Sequence, residues 1–382
     1  MFRKGKAAEK AAEKAAENTA VKTSAKAEKE YRAGKQTVIF PNKPRIVGRA
    51  AVVGPKEGQG PLGSYFKKIL KNDRYHEKTF EKGEKKMMET AIFDAIEDAG
   101  LQTNEVDVLL SGDLLNQIIS SSFAARKFDT SFVGLYGACS TMAESLALGA
   151  CLVNAGYIDT VACATGSHFS TAERQYRGPI ELGNQRPPYG QWTVTGTACA
   201  ILSNRQDLNK DGADGKRGAP ENGGKKSVAV TRATFGKVTD YGIADINNMG
   251  AAMAPAAMST MLAHFNDTGA SPKDYDMIFT GDLGKLGSDI LRDLMAEKGV
   301  QLGQNYSDCG ALIFDIHQKT MQGGSGCGCC AVTLCSYIMD KMQRGEYNKV
   351  LFLATGALMS PISSQQGETV PSISHAVVLE TV

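Results

Sequence analysis

The segment Val106-Asp107-Val108-Leu109-Leu110-Ser111-Gly112-Asp113-Leu114 is echoed in the second half of the chain by Tyr275-Asp276-Met277-Ile278-Phe279-Thr280-Gly281-Asp282-Leu283. Each reads as a short buried strand, a Gly-Asp turn and then a helix. A second pair matches as well: Thr160-Val161-Ala162-Cys163-Ala164-Thr165-Gly166 and Val350-Leu351-Phe352-Leu353-Ala354-Thr355-Gly356, each preceded by a helical pattern. Counting back from the two Ala-Thr-Gly ends without a gap sets Cys329 opposite Cys139. Repetition on this scale means two copies of one α/β unit. Strands alternating with helices predict a mainly parallel or mixed sheet covered on its faces.

The copies can be bounded. Residues 1–35 are Ala, Lys and Glu with almost nothing large and apolar; Lys10 and Glu13, or Lys14 and Glu17, can share a helix face, but the stretch cannot bury a core, so a disordered tail is expected. Folding is expected from Gln36, the first half running to residue 203. Residues 204–226, rich in Asn, Asp, Gly and Lys, read as a polar linker, and 227–382 form the second half. Helices are expected over Glu84–Ala99, Pro255–Phe265, Asp289–Lys298 and about Gly328–Met342, with a closing strand over Ala376–Leu379.

Between the first pair of strands lies Gly137-Ala138-Cys139-Ser140-Thr141, a turn of small residues, followed by a helical run in which Glu144 is the one charge. A helix apolar nearly all round belongs in an interior, as does the equally uncharged one after Cys329. The two are expected side by side between two sheets. The free N–H groups at the start of the first helix point past Cys139, a setting that lowers a thiol pKa and attracts an anion.

The formal charge of +2 gives no argument for nucleic acid as a partner. No apolar run reaches the roughly 18 residues of a membrane span and no signal-peptide core stands near the start, so a soluble chain is expected. The nine cysteines are odd in number and several lie in apolar runs, reading as reduced core residues. Cys327-Gly328-Cys329-Cys330 lacks the second paired cluster of a zinc site, and no metal is expected.

Two fused α/β halves, a Cys opening one buried helix and a second buried helix at the equivalent place resemble the thiolase and ketoacyl-synthase superfamily. Within it, the chain from Gln36 onward resembles the stage V sporulation protein AD family of spore-forming Firmicutes. The runs that carry this are Val53-Gly54-Pro55-Lys56-Glu57-Gly58, Ser111 to Ser122, Gly190-Gln191-Trp192-Thr193-Val194-Thr195-Gly196, Asn248 to Ala257, and Gly323-Gly324-Ser325-Gly326-Cys327-Gly328-Cys329. The resemblance implies a thiolase-like fold, two duplicated halves in a five-layer αβαβα sandwich. It also implies a protein at the inner spore membrane that binds dipicolinic acid (pyridine-2,6-dicarboxylic acid) and helps move it into the developing spore. The implied partners are dipicolinic acid, with or without calcium, the other SpoVA membrane proteins and a second copy in a homodimer. No cofactor is implied.

Condensing enzymes of the superfamily pair the Cys with two imidazoles, or a His and an Asn, from the second half. Here the corresponding places are Thr280-Gly281-Asp282 and Gly324-Ser325-Gly326-Cys327, with neither. A binding role without catalysis is therefore expected, against two alternatives: an acyl-thioester condensing enzyme or hydrolase using Cys139, and a scaffold with a vestigial pocket. The candidate ligand-binding residues are Cys139, His168 at a strand end, Asn116 and Gln117 as neutral donors, Arg174 (with Arg177 or Arg186) as a carboxylate fork, Trp192 as a stacking surface, and Ser325. Asp113 and Asp282 read as helix N-caps.

Overall fold

The structure, a computed structural model, describes residues 31–176, 186–209 and 226–382. The tail up to residue 30, Arg177 and most of the expected linker lie outside the described residues.

Ten strands build the two halves: β1 (Arg45–Val53), β2 (Val108–Asp113), β3 (Ser131–Gly134), β4 (Thr160–Ser167) and β5 (Gly196–Ser203), then β6 (Val228–Thr234), β7 (Met277–Thr280), β8 (Tyr306–Asp308), β9 (Lys349–Ala357) and β10 (Ser372–Thr381). Their spatial order is β3-β2-β4-β5-β1 in the first half and β8-β7-β9-β10-β6 in the second. The duplication thus reappears as one topology used twice. In each half three strands are parallel neighbours and the last two pairings are antiparallel. The two sheets meet at one edge: β1 and β6 touch through one antiparallel residue pair, Arg45 with Ala229, so the ladder is continuous.

Alternating side chains sort into three apolar layers, as a sheet covered on both faces requires. Helix α1 (Phe80–Asp98), begun by the Thr79 hydroxyl accepting from Lys82 N, packs with α2 (Ile119–Ala125) on the outer face of the first sheet against Leu109, Ala162 and Ile201. Helices α5 (Met249–Thr268) and α6 (Gly284–Glu297) cover the outer face of the second sheet over Ile278, Leu351 and Leu353. Between the sheets lie α3 (Thr141–Asn154) and α7 (Cys327–Thr333, continued to Gln343 through a π-turn), packed against Leu110, Cys163, Leu202, Phe279 and Phe352. Helix α4 (Phe169–Tyr176) follows β4.

Three helices start earlier than their periodicity suggests, the first being α1, at Phe80 rather than Glu84. Helix α5 begins at Met249, capped by Asn248, and carries Pro255 inside it. Helix α6 begins at Gly284 because Asp308, at the end of β8, accepts from the N–H groups of Leu283 (3.0 Å) and Gly284 (2.9 Å), a cap that is local in space and remote in sequence. Among the described residues, no helix is long and apolar enough to cross a membrane.

The glycines of the two Ala-Thr-Gly repeats are points of close approach. A Cβ on Gly356 would lie 2.1 Å from the Gly137 carbonyl oxygen, and one on Gly166 would lie 2.2 Å from Thr197 Oγ1. The first of these contacts seats the Cys139 turn directly against β9 of the other half.

Candidate functional site

Ala138-Cys139-Ser140 forms a single 3-10 turn before α3. Ser140 closes it, its N–H (3.0 Å) and hydroxyl (2.7 Å) both donating to the Gly137 carbonyl, and the Thr141 hydroxyl donates to the Ala138 carbonyl at 2.7 Å. Ala138 takes a left-handed conformation, φ 49°. Such a residue without glycine's freedom costs about 1–3 kcal/mol and is typical of functional turns. The reward is placement: Cys139 stands at the seam between the halves, 8% exposed, and Cys330 Sγ lies 3.6 Å from its carbonyl oxygen.

Asp282 stands beside this thiol. It is fully buried and accepts from the Thr355 hydroxyl (2.8 Å), the Gly326 N–H (2.9 Å) and, more loosely, the Ser325 hydroxyl (3.4 Å). Burial pushes its pKa up to about 7. Burial, and then the Asp282 carboxyl, push the Cys139 thiol well above its ordinary value. This overturns the expectation that the helix start lowers it: desolvation and a neighbouring acid outweigh the few free N–H groups.

The twin aspartates have diverged. Asp113 accepts from Leu115 N (2.9 Å) and from the N–H and hydroxyl of Ser121 (both 2.7 Å), serving the chain that follows it, as expected of a capping acid. Asp282 does not cap α6, which Asp308 does instead. It reaches across to Gly326 and the Cys139 turn.

Two joined chambers open in front of Cys139. The inner one, about 70 Å³, is walled by Cys139, Thr193, Ser325 and the apolar chains of Met249, Met253 and Met359. The outer one, about 470 Å³, is lined by Asp113, Asn116, Gln117, Tyr136, Ser360 and Ser363. Leu114, Ala138, Tyr176, Ala357 and Met359 belong to both. Gln117 and Ile118 are left-handed (φ 59° and 48°), which interrupts the helical path before α2 and leaves Asn116 and Gln117 exposed at the outer rim.

Cys139 and Ser325 thus meet at the inner chamber, and Asn116 and Gln117 at the outer. The other candidates lie elsewhere. His168 is buried away from both chambers, its Nε2 donating to the Asp73 carbonyl at 2.8 Å and its Nδ1 accepting from Ser170 N at 3.1 Å; burial lowers its pKa, and the neutral ring is a structural link. Arg174 points to the surface and pairs with Glu81 at 2.7 Å. Trp192 stacks on Phe169 (centroids 3.8 Å, planes 7° apart) with Lys56 Nζ 4.3 Å and the Arg186 guanidinium 4.7 Å from its ring centre, so its faces are already covered. Arg186 pairs with Glu173 at 2.6 Å. Among the described residues, no Lys or Arg lines either chamber. Sequence reasoning missed Asp282 as a site residue, although the Gly-Asp repeat marked it, and missed the methionines, although Asn248 to Ala257 was singled out.

Residues 34–380 match the family model described as Stage V sporulation protein AD (SpoVAD). Stage V sporulation protein AD of Bacillus subtilis (strain 168) is 40% identical over 347 residues, covering 91% of this chain and 97% of that protein. Among solved structures, OleA of Xanthomonas campestris is similar with a TM-score of 0.54 at 11% identity, over 90% of this chain and 99% of that one. A second OleA structure, with bound lauric acid and lauroyl-CoA, has a TM-score of 0.52 at 13% identity, over 89% and 99%. At such identity the likeness to OleA shows the thiolase-like fold alone.

Proposed function

The chain belongs to the stage V sporulation protein AD family, and from that premise we propose that it is a non-enzymatic binding component for dipicolinic acid in the SpoVA uptake machinery of the developing spore. The observation that carries this reading is the pairing of Cys139 with Asp282. An acyl-transfer nucleophile needs its proton removed and its thiolate stabilised by a cation. Here a second acid stands in that place, and a thiol far above the carboxyl in pKa keeps its proton. The outer chamber, about 470 Å³, is of ordinary ligand size, and the inner one, about 70 Å³, is a narrow extension of it. Asn116, Gln117, Ser360 and Ser363 supply neutral donors for carboxylate oxygens, and the apolar inner wall suits the edge of a pyridine ring.

In this role the protein sits at the inner spore membrane against the SpoVA membrane subunits, as a homodimer, and takes its ligand free or with calcium. Calorimetric titration with dipicolinate, with and without calcium, tests the reading. Saturable binding is expected. No binding at millimolar ligand overturns it and leaves a scaffold.

One observation favours a second reading. A carboxyl with a pKa about 7 is well matched to take a proton at neutral pH, and the Met-lined inner chamber is apolar, as an acyl chain requires. Mass spectrometry after exposure to acyl-CoA decides: an adduct on Cys139, absent from Cys139→Ala, establishes the enzyme.

A further inference from the structure

The loop before α1 and the first turns of that helix concentrate positive charge. Residues 67–86 hold eight Lys or Arg and four Asp or Glu, a surplus of four, whereas the whole chain of 382 residues has a formal charge of +2. Of the four acids, Glu84 is fully buried, Glu77 is paired with Lys86 at 3.0 Å and Glu81 with Arg174 at 2.7 Å. Lys71, Arg74, Lys78 and Lys82 are exposed and, among the described residues, form no salt bridge.

The loop lies along α1, so the two make one surface. Lys67 pairs with Asp98 at 3.7 Å and Lys68 with Asp94 near the end of the helix, and the Lys86 ammonium donates to the Tyr75 carbonyl at 3.2 Å near its start. Gly83 permits the closest contact: a Cβ there would lie 2.8 Å from the Arg74 carbonyl oxygen. On α1 itself Lys82, Lys86 and Phe93 are spaced by four and seven residues and share one stripe, opposite the face that buries Met88, Ile92 and Ala95. Apolar groups stand among the cations. Phe93 is 42% exposed, and Ile69, 44% exposed, walls a hollow of about 240 Å³ with Lys68, Lys71 and His76.

From this distribution we infer that the outer face of α1 and its preceding loop is the surface by which the protein lies on a bilayer of anionic phospholipid. The chemistry selects the partner. Ammonium groups spread along a helix about 28 Å long meet a plane of phosphate headgroups better than they meet one small anion. Lysines on flexible stems attract charge without the planar fork that selects a particular carboxylate, and an exposed ring and an exposed Ile among them suit the boundary between headgroups and hydrocarbon. The inference rests on the part of the reading above that places the protein at the spore membrane, and it adds a consequence for the site. Glu81 and Asn116 line one shallow cleft and Asn116 also lines the outer chamber, so docking by this face brings the rim of that chamber toward the lipid.

The test is flotation of the full chain with vesicles of phosphatidylcholine alone, or mixed in equal parts with phosphatidylglycerol. Binding to the mixed vesicles only is expected at about 0.1 M salt, and its loss at about 1 M, where the screening length shrinks to about 3 Å. Each cation near such a surface is worth about fivefold in affinity, so Lys71→Gln, Lys78→Gln and Lys82→Gln together should weaken binding about a hundredfold. The same change at Lys237, Lys273 and Lys298, exposed lysines of the second half, should alter it by less than about threefold. No binding to either vesicle overturns the inference and leaves attachment to a membrane protein. An equal loss in the second-half variant overturns it as well, since attraction is then to the whole molecule. So does binding that survives the first triple change and is lost in Lys10→Gln, Lys14→Gln and Lys22→Gln, which assigns it to the N-terminal tail. Calorimetric titration of the Lys71, Lys78 and Lys82 variant with dipicolinate is expected to match the wild type. Absence of dipicolinate binding in the wild type removes the ligand reading while the vesicle result stands by itself.

Discussion

Asp282 and Cys139 face each other across the seam between the two halves, the carboxyl held by the Thr355 hydroxyl at 2.8 Å and the Gly326 N–H at 2.9 Å. The bonds to Thr355 and Gly326 tie the end of β9 and the start of α7 to the turn after β7, all within the second half, and so hold the acid against the thiol of the first half.

The thiol should be inert at neutral pH. Cys139, held above its ordinary pKa, is expected to react with iodoacetamide at least tenfold more slowly than a free cysteine of ordinary pKa at pH 7.5. Peptide mapping after timed alkylation checks this, and rapid labelling of Cys139 in the folded protein contradicts it.

Stability should fall as pH rises from about 6.5 to 8. Burial raises Asp308 to about 6, Asp282 to about 7 and Glu57 to about 8, so their contribution is present at low pH and lost as pH rises through those values. His264 and His375 are lowered to about 4, so theirs is present above the ordinary imidazole pKa and lost as pH falls. The two sets oppose each other between about 4 and 6.5, and above that the carboxyls act alone. Each contributes a slope of up to about 1.4 kcal/mol per pH unit within its window. Urea melts at pH 6.5, 7.25 and 8 measure the slope, and Glu57→Gln should reduce it; a flat or rising profile contradicts the assignment.

Ala138 tests the strain in the turn. Ala138→Gly removes the left-handed penalty and is expected to leave stability unchanged or raise it by up to about 1 kcal/mol. Ala138→Val, a branched residue at φ 49°, should lower it by about 2 kcal/mol or more. Equal effects of the two changes on the melting temperature contradict the conformation described.

Gly356→Ala drives a methyl into the Gly137 carbonyl, 2.1 Å away, backbone against backbone. A loss of about 2–4 kcal/mol is expected, with weakened dipicolinate binding because the Cys139 turn is pushed from its seat. Thermal melts and the calorimetric titration report the two effects separately. A neutral outcome means that the halves approach less closely.

The candidate donors separate by position. Asn116→Ala and Gln117→Ala are each expected to weaken dipicolinate binding about tenfold, the worth of about one hydrogen bond to a charged oxygen. Arg174→Ala, whose guanidinium is paired with Glu81 outside both chambers, should change it less than twofold. The reverse ranking contradicts the placement of the ligand.

What the sequence determined by itself was whatever repeats or has a short period. The echoed Gly-Asp and Ala-Thr-Gly segments reported the duplication, the uncharged runs after Cys139 and Cys329 reported the central helices, and the unbroken apolar runs of β4 and β9, not an alternation, reported burial on two faces. These are local signals, set by spacing along the chain. Tertiary structure decided which residues meet. Asp113 and Asp282 read identically as capping acids, yet one serves its own helix while the other faces a thiol 143 positions earlier in the chain, because Asp308 had already taken the cap of α6. His168, Arg174 and Trp192 had the right chemistry for a ligand, but Asp73, Glu81 and Phe169 had claimed them. The fall or rise of a pKa was equally undecidable from the chain: a helix start favours a thiolate, and only the depth of burial and the identity of the facing group, both products of the folded pairing of two halves, reversed it.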